Sequence, residues 1–307
     1  MGFADCVVVH HENGFACHIE GDRRYRDGDY AEAARLWREG ALVGNRQCAL
    51  NMAWACEFGI GVEKSADEAE GWRKVGLRAS RQEQTLFPDR WTDSPGANSR
   101  GRMSVIVPVF GEHRLDGLRD LVEVHLRAQT YRDFEILVAC DGPHPRIREY
   151  ASSRPEIRFL EMPERTNDWG YTPMREALKV STGEFVQRMN DDNVPFPNFV
   201  EEHVKAFSDD VAMTICRVEF AGDALKRHAS CFEKASRNVI PQYGSERRFA
   251  LGNLDCMNYA VRRSAMDGVE LVTGRMDSFA SDFILVEDIL ERGGRVRFID
   301  KVLGFKR

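Results

Sequence analysis

From Met103 onward the chain alternates short β-branched runs with amphipathic stretches, and this alternation restricts its fold more than any other feature. Val105-Ile106-Val107 and Phe134-Glu135-Ile136-Leu137-Val138 have strand length and strand composition, and an amphipathic helix of about Leu115 to Ala128 separates them. Further strands are predicted at Ile157 to Leu160, Phe185 to Met189 and Ala212 to Cys216, with helices near 172–180 and 196–207. Strand, helix, strand order of this kind gives an α/β fold, a mostly parallel sheet covered by helices on both faces. Ligands of such sheets bind beyond the carboxyl ends of the strands. The polar residues that end each strand are therefore the first candidates for chemistry.

The first strand ends at Pro108-Val109-Phe110-Gly111-Glu112, where Pro and Gly stop the pairing and let backbone approach a ligand. The second ends at Cys140-Asp141-Gly142, which puts the Asp141 carboxylate at the mouth of the sheet; Asp-Gly is also an ordinary turn signal. The strand Phe185 to Met189 runs into Asn190-Asp191-Asp192-Asn193, with Pro195 and Pro197 opening the next helix. Two carboxylates between two amides supply hard oxygen ligands of the kind a magnesium- or manganese-diphosphate complex needs. A helix-capping turn is the blander reading. Asp209-Asp210 is an internal control, because that pair precedes a strand and belongs at the opposite, surface edge.

The first eighty residues follow a different rule. Tyr30-Ala-Glu-Ala-Ala-Arg-Leu-Trp37 and Ala66-Asp-Glu-Ala-Glu-Gly-Trp72 repeat one pattern, with Gly near each break, as in a helix-turn-helix solenoid. Ala49 to Ala69 resembles the Sel1-like branch of the tetratricopeptide superfamily. Helices are predicted near 17–26, 29–43, 45–57 and 65–79. Two repeats are fewer than a solenoid normally needs to bury its faces, so these helices are expected to dock on the neighbouring domain or on another subunit. They read equally as a protein-binding or self-association module and as a structural cap. Residues 80–101 lack an apolar period and carry Pro, Ser, Asn and Gly, which suits a linker. The division expected is a repeat region over 1–80, a linker over 81–101 and the α/β domain over 102–307.

A formal net charge of −6 and the absence of any Lys/Arg run argue against nucleic acid as partner and leave a small molecule or glycan. No basic leader and no apolar stretch approaching roughly 18 residues occurs. The protein is read as cytoplasmic, at most peripheral at the inner face of a membrane. The eight cysteines are scattered without a CxxC pair and are expected to be reduced core residues, not zinc ligands.

Met103-Ser-Val-Ile-Val-Pro-Val-Phe110, then Leu126-Arg-Ala-Gln-Thr-Tyr-Arg-Asp-Phe-Glu-Ile-Leu-Val138, then Ser181-Thr-Gly-Glu-Phe-Val186 ahead of the Asp pair resemble, in order and spacing, family 2 glycosyltransferases of the GT-A fold. The resemblance covers nearly all of 102–307. It implies a metal-dependent, inverting transfer from a nucleotide-diphospho sugar to a glycan, lipid-linked or protein hydroxyl, with manganese or magnesium as the divalent ion. It further implies that Pro108 and Phe110 border the nucleobase and Asp141 contacts base or ribose. Asp191 would face ribose or sugar, and Asp192 would bind the metal. The family often has two acidic residues where this chain has Cys140-Asp141, which leaves the nucleobase open. Gly170 and Arg175, beside Asn167-Asp168-Trp169, fall near the sugar or diphosphate, although Arg175 also suits a surface salt bridge.

The segment Ser281-Asp282 to Gly294 resembles the family's late acidic helix. Asp282 aligns with the catalytic base, and Glu287 and Asp288 are the rivals, because they spell the family's Glu-Asp pair. Asn253 and Asp255, in the segment ahead of that base, would contact acceptor hydroxyls or else shape a turn. Two other classes compete. A nucleotidyltransferase would carry a Gly-rich basic loop that Val109 to His113 does not supply. A catalytically idle sugar-binding protein recruited through its repeats is opposed by the acidic residues at 192 and 282.

Overall fold

The computed structural model describes residues 11–43, 45–82, 85–86, 92, 96–97, 99–166, 170–227, 239–240, 248–249, 254–269, 282, 285–286, 288–290 and 292–307. It divides into two compact units, Met1–Gln84 and Thr85–Arg307.

The first unit holds α1 (His11–Arg26), α2 (Tyr30–Leu42), α3 (Arg46–Phe58) and α4 (Ala66–Gln82). The repeat pattern placed these helices to within about three residues, except that α1 begins six residues before the predicted start at 17. Asp29 accepts from the Glu32 backbone to cap α2, and Asn45 caps α3 through Cys48 N at 2.9 Å. Trp37 is fully buried among Ala33, Cys48, Met52 and Cys56, with Trp72 packed at the margin of the same cluster. Its indole N–H donates to Asp22 Oδ1 at 3.0 Å, an oxygen that also accepts from Asn51 at 3.1 Å. Close helix approach depends on missing side chains: a Cβ on Gly21 would sit 2.6 Å from the Trp37 ring.

In the second unit the strands are β1 (Thr85–Leu86), β2 (Met103–Val109), β3 (Phe134–Cys140), β4 (Ile157–Glu161), β5 (Phe185–Arg188) and β6 (Asn193–Pro195). They continue as β7 (Met213–Phe220), β8 (Val239–Ile240), β9 (Arg248–Phe249), β10 (Tyr259–Arg262) and β11 (Val296–Lys306). The helices are α5 (Leu115–Asp120), continued by a π-helical turn over Leu121–Leu126, then α6 (Pro145–Ser152), α7 (Tyr171–Val180), α8 (Phe199–Ala206) and α9 (Gly222–Arg227). Residues 282, 285–286 and 288–290 are also helical. Strands β1 and β9 form a separate antiparallel pair.

The main sheet has the order β4-β3-β2-β5-β10-β7-β11-β6, with β8 paired to β7. Strands β4, β3, β2 and β5 are parallel neighbours; β10 runs antiparallel to both β5 and β7, and β11 is parallel to β7. Six of the nine described strands of this sheet thus point one way, as the alternation required. Alternate residues feed two cores. Ile136, Val138 and Cys140 of β3 join Leu118, Leu121, Phe185 and Phe207 on one face. Leu137 and Ala139 join Met174, Val186, Leu285 and Ile289 on the other.

At the amino ends of the strands a polar clasp closes the sheet. Glu135 Oε1 accepts from Ser104 Oγ (2.7 Å), Thr182 N (2.5 Å) and Thr182 Oγ1 (3.0 Å), while Arg263 donates to Gly183 O (2.7 Å) and Ser181 Oγ (2.6 Å). Asp210 lies near this edge too, just ahead of β7, hydrogen-bonded to Ser208 and paired with Arg295 at 3.4 Å. One sequence expectation is corrected. Pro195 does not open a helix; Asn193–Pro195 pairs as an edge strand with β11, a position where proline is tolerated, and α8 begins at Phe199. The six described cysteines are all free thiols. Among the described residues no helix is long and apolar enough to cross a membrane.

His203 on α8 is fully buried against Phe199, with Nδ1 2.8 Å from Thr214 Oγ1, and burial holds its imidazole down to about 3. The unfolded chain takes up a proton near pH 6.5 while the folded chain does not, so this contribution is intact above that pH and is lost as pH falls. Between pH 7 and pH 5 the unfolding free energy should drop by about 2 kcal/mol on this account. Urea titrations should show that His203→Gln flattens the slope; an unchanged slope would assign it to other groups.

Candidate active site

The carboxyl ends of the forward strands and the amino end of the reversed strand β10 meet at one edge of the sheet. Strand β2 delivers Pro108 and then Phe110, which is 38 % exposed. Beside it stands Arg114, its guanidinium 4.5 Å over the Phe110 ring and its Nη1 3.4 Å from Asp191 Oδ2. Gly117 keeps this contact open, since a Cβ there would lie 2.8 Å from the same carboxylate oxygen.

Strand β3 delivers Asp141, which is almost wholly buried. Its Oδ1 accepts from Thr166 N (2.7 Å) and Thr166 Oγ1 (2.6 Å), so this carboxylate anchors the loop that follows β4. Gly170 starts α7 at φ +81°, and a Cβ there would come within 2.7 Å of Pro108 Cβ. Pro108 itself falls beyond the last β2–β5 pair, Ile106 with Arg188, so its missing N–H leaves no rung unmade on that side.

Strand β5 delivers Arg188, buried, with its guanidinium 4.6 Å over the Tyr171 ring. The turn Asn190 to Asn193 follows. Asn193 Oδ1 accepts from Asn190 N at 2.7 Å, which closes the turn on itself, and β6 then ties it to β11. Asp191 is buried toward Arg114; burial, reinforced by Asp192, pushes its carboxyl above the usual range against the pull of Arg114. Asp192 is more open and faces Lys306, whose Nζ lies 4.0 Å from Oδ1.

The amino end of β10 is preceded by a 3₁₀ turn, Cys256–Asn258, capped by Asp255. Asp255 Oδ1 accepts from Met257 N at 3.0 Å and Oδ2 from Lys306 Nζ at 2.5 Å. Burial raises the Asp255 carboxyl, but Lys306 and the Met257 amide outweigh it and hold the group below its usual range. Asp282 accepts from the Tyr259 hydroxyl at 2.6 Å. Burial lifts Asp282 above the ordinary carboxylate range, with Asp255 adding to the rise and Arg188 pulling against it.

Among the described residues no three His, Cys, Asp or Glu side chains gather as a metal cage. Magnesium-type ions at phosphate-bearing substrates need only one or two protein carboxylates, because phosphate oxygens and water complete the shell. Asp192, at the strand end with 17 % of its side chain exposed, offers one such carboxylate.

The sequence profile described as Glycosyl transferase family 2 matches residues 104–267, over half the chain. The chain belongs to this family. Its fold is that of the GT-A glycosyltransferases, as two solved structures show. One is a mannosyltransferase, PcManGT from Pyrobaculum calidifontis, in complex with GDP-Man and Mn2+, at TM-score 0.52 and 18 % identity, covering 84 % of this chain and 68 % of that one. The other is S. aureus TarS 1-349 in complex with UDP-GlcNAc, at TM-score 0.50 and 17 % identity, covering 67 % of this chain and 59 % of that one. The present chain thus spans about three-fifths of the second structure's length. Comparison with curated protein sequences gives no match.

In this family 2 glycosyltransferase the strand-ending candidates Pro108, Phe110, Asp141, Asp191 and Asp192 lie at this edge, and Gly170, Asp255 and Asp282, which were expected from the family resemblance, lie beside them. Arg175 engages its own helix, donating to Thr172 Oγ1 at 3.1 Å with Glu176 3.8 Å away. Asp288 is buried and accepts from Arg292 Nε at 2.9 Å, an i,i+4 pair. Asn253, Glu287 and Asn167 to Trp169 lie outside the described residues. Four residues at the edge escaped the sequence reading: Arg114, Arg188, Tyr259 and Lys306. Arg188 carried a usable signal, a charge inside an otherwise apolar strand. Lys306 carried none, because its partner Asp255 is 51 residues away and only the sheet order joins them.

Replacing Gly170 by Ala should cost about 1–2 kcal/mol for the left-handed backbone alone, with the Pro108 contact adding to it. Chemical denaturation should register this loss, and an unchanged midpoint would remove Gly170 from the supports of the Pro108 wall.

Proposed function

We propose that the chain is an inverting, metal-dependent glycosyltransferase that moves a sugar from a nucleotide-diphospho sugar to a hydroxyl of a glycan, lipid-linked or protein acceptor. The observation that carries this reading is the gathering of Asp191, Asp192, Asp255 and Asp282 with Arg188 and Lys306 at one sheet edge. Family membership supports the transfer chemistry. The two similar structures, one in complex with GDP-Man and Mn2+ and one with UDP-GlcNAc, support the donor class.

In this reading Phe110 offers an exposed ring to the nucleobase, and Arg114, stacked on that ring, holds Asp191 toward the ribose or sugar. Asp141 borders the base or ribose while tying down Thr166. Asp192 would hold a divalent ion, manganese or magnesium, which would supply positive charge to offset the negative charge on the leaving diphosphate. Asp282 is the general base. Burial raises its carboxyl and so makes the carboxylate a better proton acceptor, and the Tyr259 hydroxyl donates to it and holds its orientation. The acceptor oxygen attacks the anomeric carbon, its proton passes to Asp282, and the bond from that carbon to the diphosphate oxygen breaks with the electron pair staying on oxygen. Asp255 borders the acceptor side. Asp288, engaged with Arg292, is the weaker candidate for the base.

Asp282→Asn should lower transfer by about 100- to 10,000-fold while leaving donor binding in place. Asp192→Ala should abolish both transfer and donor hydrolysis in the presence of manganese. Product analysis with UDP- and GDP-sugars reads both outcomes. Wild-type rates in both variants would remove these roles, and loss of activity in Asp288→Asn but not in Asp282→Asn would move the base.

A further inference from the structure

The end of β11 brings an ammonium group into this edge, and nothing in the transfer chemistry above has used it. Lys306 stands in register with Asn193 on β6 and with Phe220 on β7, and the amide of Arg307 donates to Asp192 O at 3.1 Å. Backbone pairing on both sides therefore fixes Lys306 beside the acidic turn. Gly304 permits the approach, because a Cβ there would lie 2.6 Å from Val194 O on β6.

The side chain is 9 % exposed, yet it is charged: Asp255 and Asp192 outweigh burial and hold the ammonium far above the usual lysine range. An ammonium has three N–H donors. Among the described residues Asp255 is its one hydrogen-bond partner, at 2.5 Å; Asp192 Oδ1, at 4.0 Å, is an ion-pair neighbour beyond hydrogen-bond reach. Asp255 has further support from the Met257 amide and from the field of Arg188. A buried, permanently charged donor with spare N–H groups thus faces the carboxylate placed for the metal. The ligand that suits it is an oxyanion.

We propose that Lys306 binds the diphosphate of the donor, donating to phosphate oxygens beside Asp192 and taking part of the negative charge set free as the sugar leaves. The inference rests on the nucleotide-sugar reading and adds a fixed cation to the exchangeable one. A lysine cannot dissociate, so the site keeps an affinity for nucleoside diphosphates when divalent ions are removed.

The test is the affinity for UDP and GDP, against uridine and guanosine, with manganese and with EDTA, by calorimetry. The proteins are wild type, Lys306→Met and the double variant Lys306→Met/Asp255→Asn. Wild type in EDTA should bind one nucleoside diphosphate more tightly than its nucleoside. Both variants should lose roughly 10- to 100-fold in diphosphate affinity and leave nucleoside affinity unchanged. The double variant contains no uncompensated buried carboxylate at 255, so it reports on the ligand even where the single variant folds poorly. Recovery of wild-type affinity in the double variant would reduce Lys306 to a counter-ion of Asp255 and overturn the proposal. So would a wild type that loses all preference for the diphosphate once manganese is chelated. A wild type that binds neither nucleotide even with manganese would instead refute the donor reading itself.

Discussion

Everything at the acidic edge depends on one strand running the wrong way. The parallel block β4-β3-β2-β5 ends its strands at this edge, and β7 and β11 do the same further along. Between the two blocks β10 runs in the opposite direction, paired to β5 through Gln187 with Ala260 and to β7 through Ile215 with Tyr259. Reversal puts the start of β10 where its neighbours finish. The capped turn before it, Asp255 to Asn258, is thereby set beside the turn that follows β5, and Gln187 bolts the two together through Cys256 O at 2.9 Å. A fully parallel sheet would have sent Asp255 and Tyr259 to the opposite edge, away from the Asp pair.

The charges collected there are buried enough to be costly unless paired. Asp191 faces Arg114, Asp255 faces Lys306, and Asp282 lies within the field of Arg188 with Tyr259 donating to it. Asp192 is the more open member of the turn's pair, with 17 % of its side chain exposed against 10 % for Asp191, and it stands 4.0 Å from Lys306. Two groups lifted by burial, Asp191 and Asp282, and one held down, Asp255, are thus separated by environment although all three are aspartates. Environments that push like groups apart are the usual way a site divides labour among them.

The sequence reading followed this architecture as far as local signals reach. Strand-ending positions such as Pro108, Asp141 and Asp192 were legible because a carboxyl end is defined by the strand that precedes it, and β2, β3 and β5 are apolar runs with clear borders. The helices of the first unit were legible from Ala and Trp at helical spacing, as in Ala33, Ala34 and Trp37, which are all buried. The reversal of β10 was not, since four residues of strand do not announce their direction, and with it went Tyr259. The short strand β6 was not legible either, because its proline, Pro195, carries no pairing signal, and among the described residues β11 gives it its partner. The Ser181-Thr182-Gly183-Glu184 segment illustrates the converse. It contributed to the family resemblance, yet it is part of the clasp at the far edge, bound by Glu135 and Arg263, and stands away from the chemistry.

The β6–β11 pairing also governs when the site can exist during synthesis. Strands β2 to β5 are consecutive in the chain and pair with one another, so they can assemble as soon as they emerge from the ribosome. Strand β6 emerges directly after them but has no partner until β7, β10 and the segment beyond have been made and β11 follows. At about 5–20 residues per second, the acidic turn waits on the order of seconds with its following strand unpaired. The parallel block therefore forms first, and β11, when it arrives, closes the acidic turn and delivers its lysine in the same event.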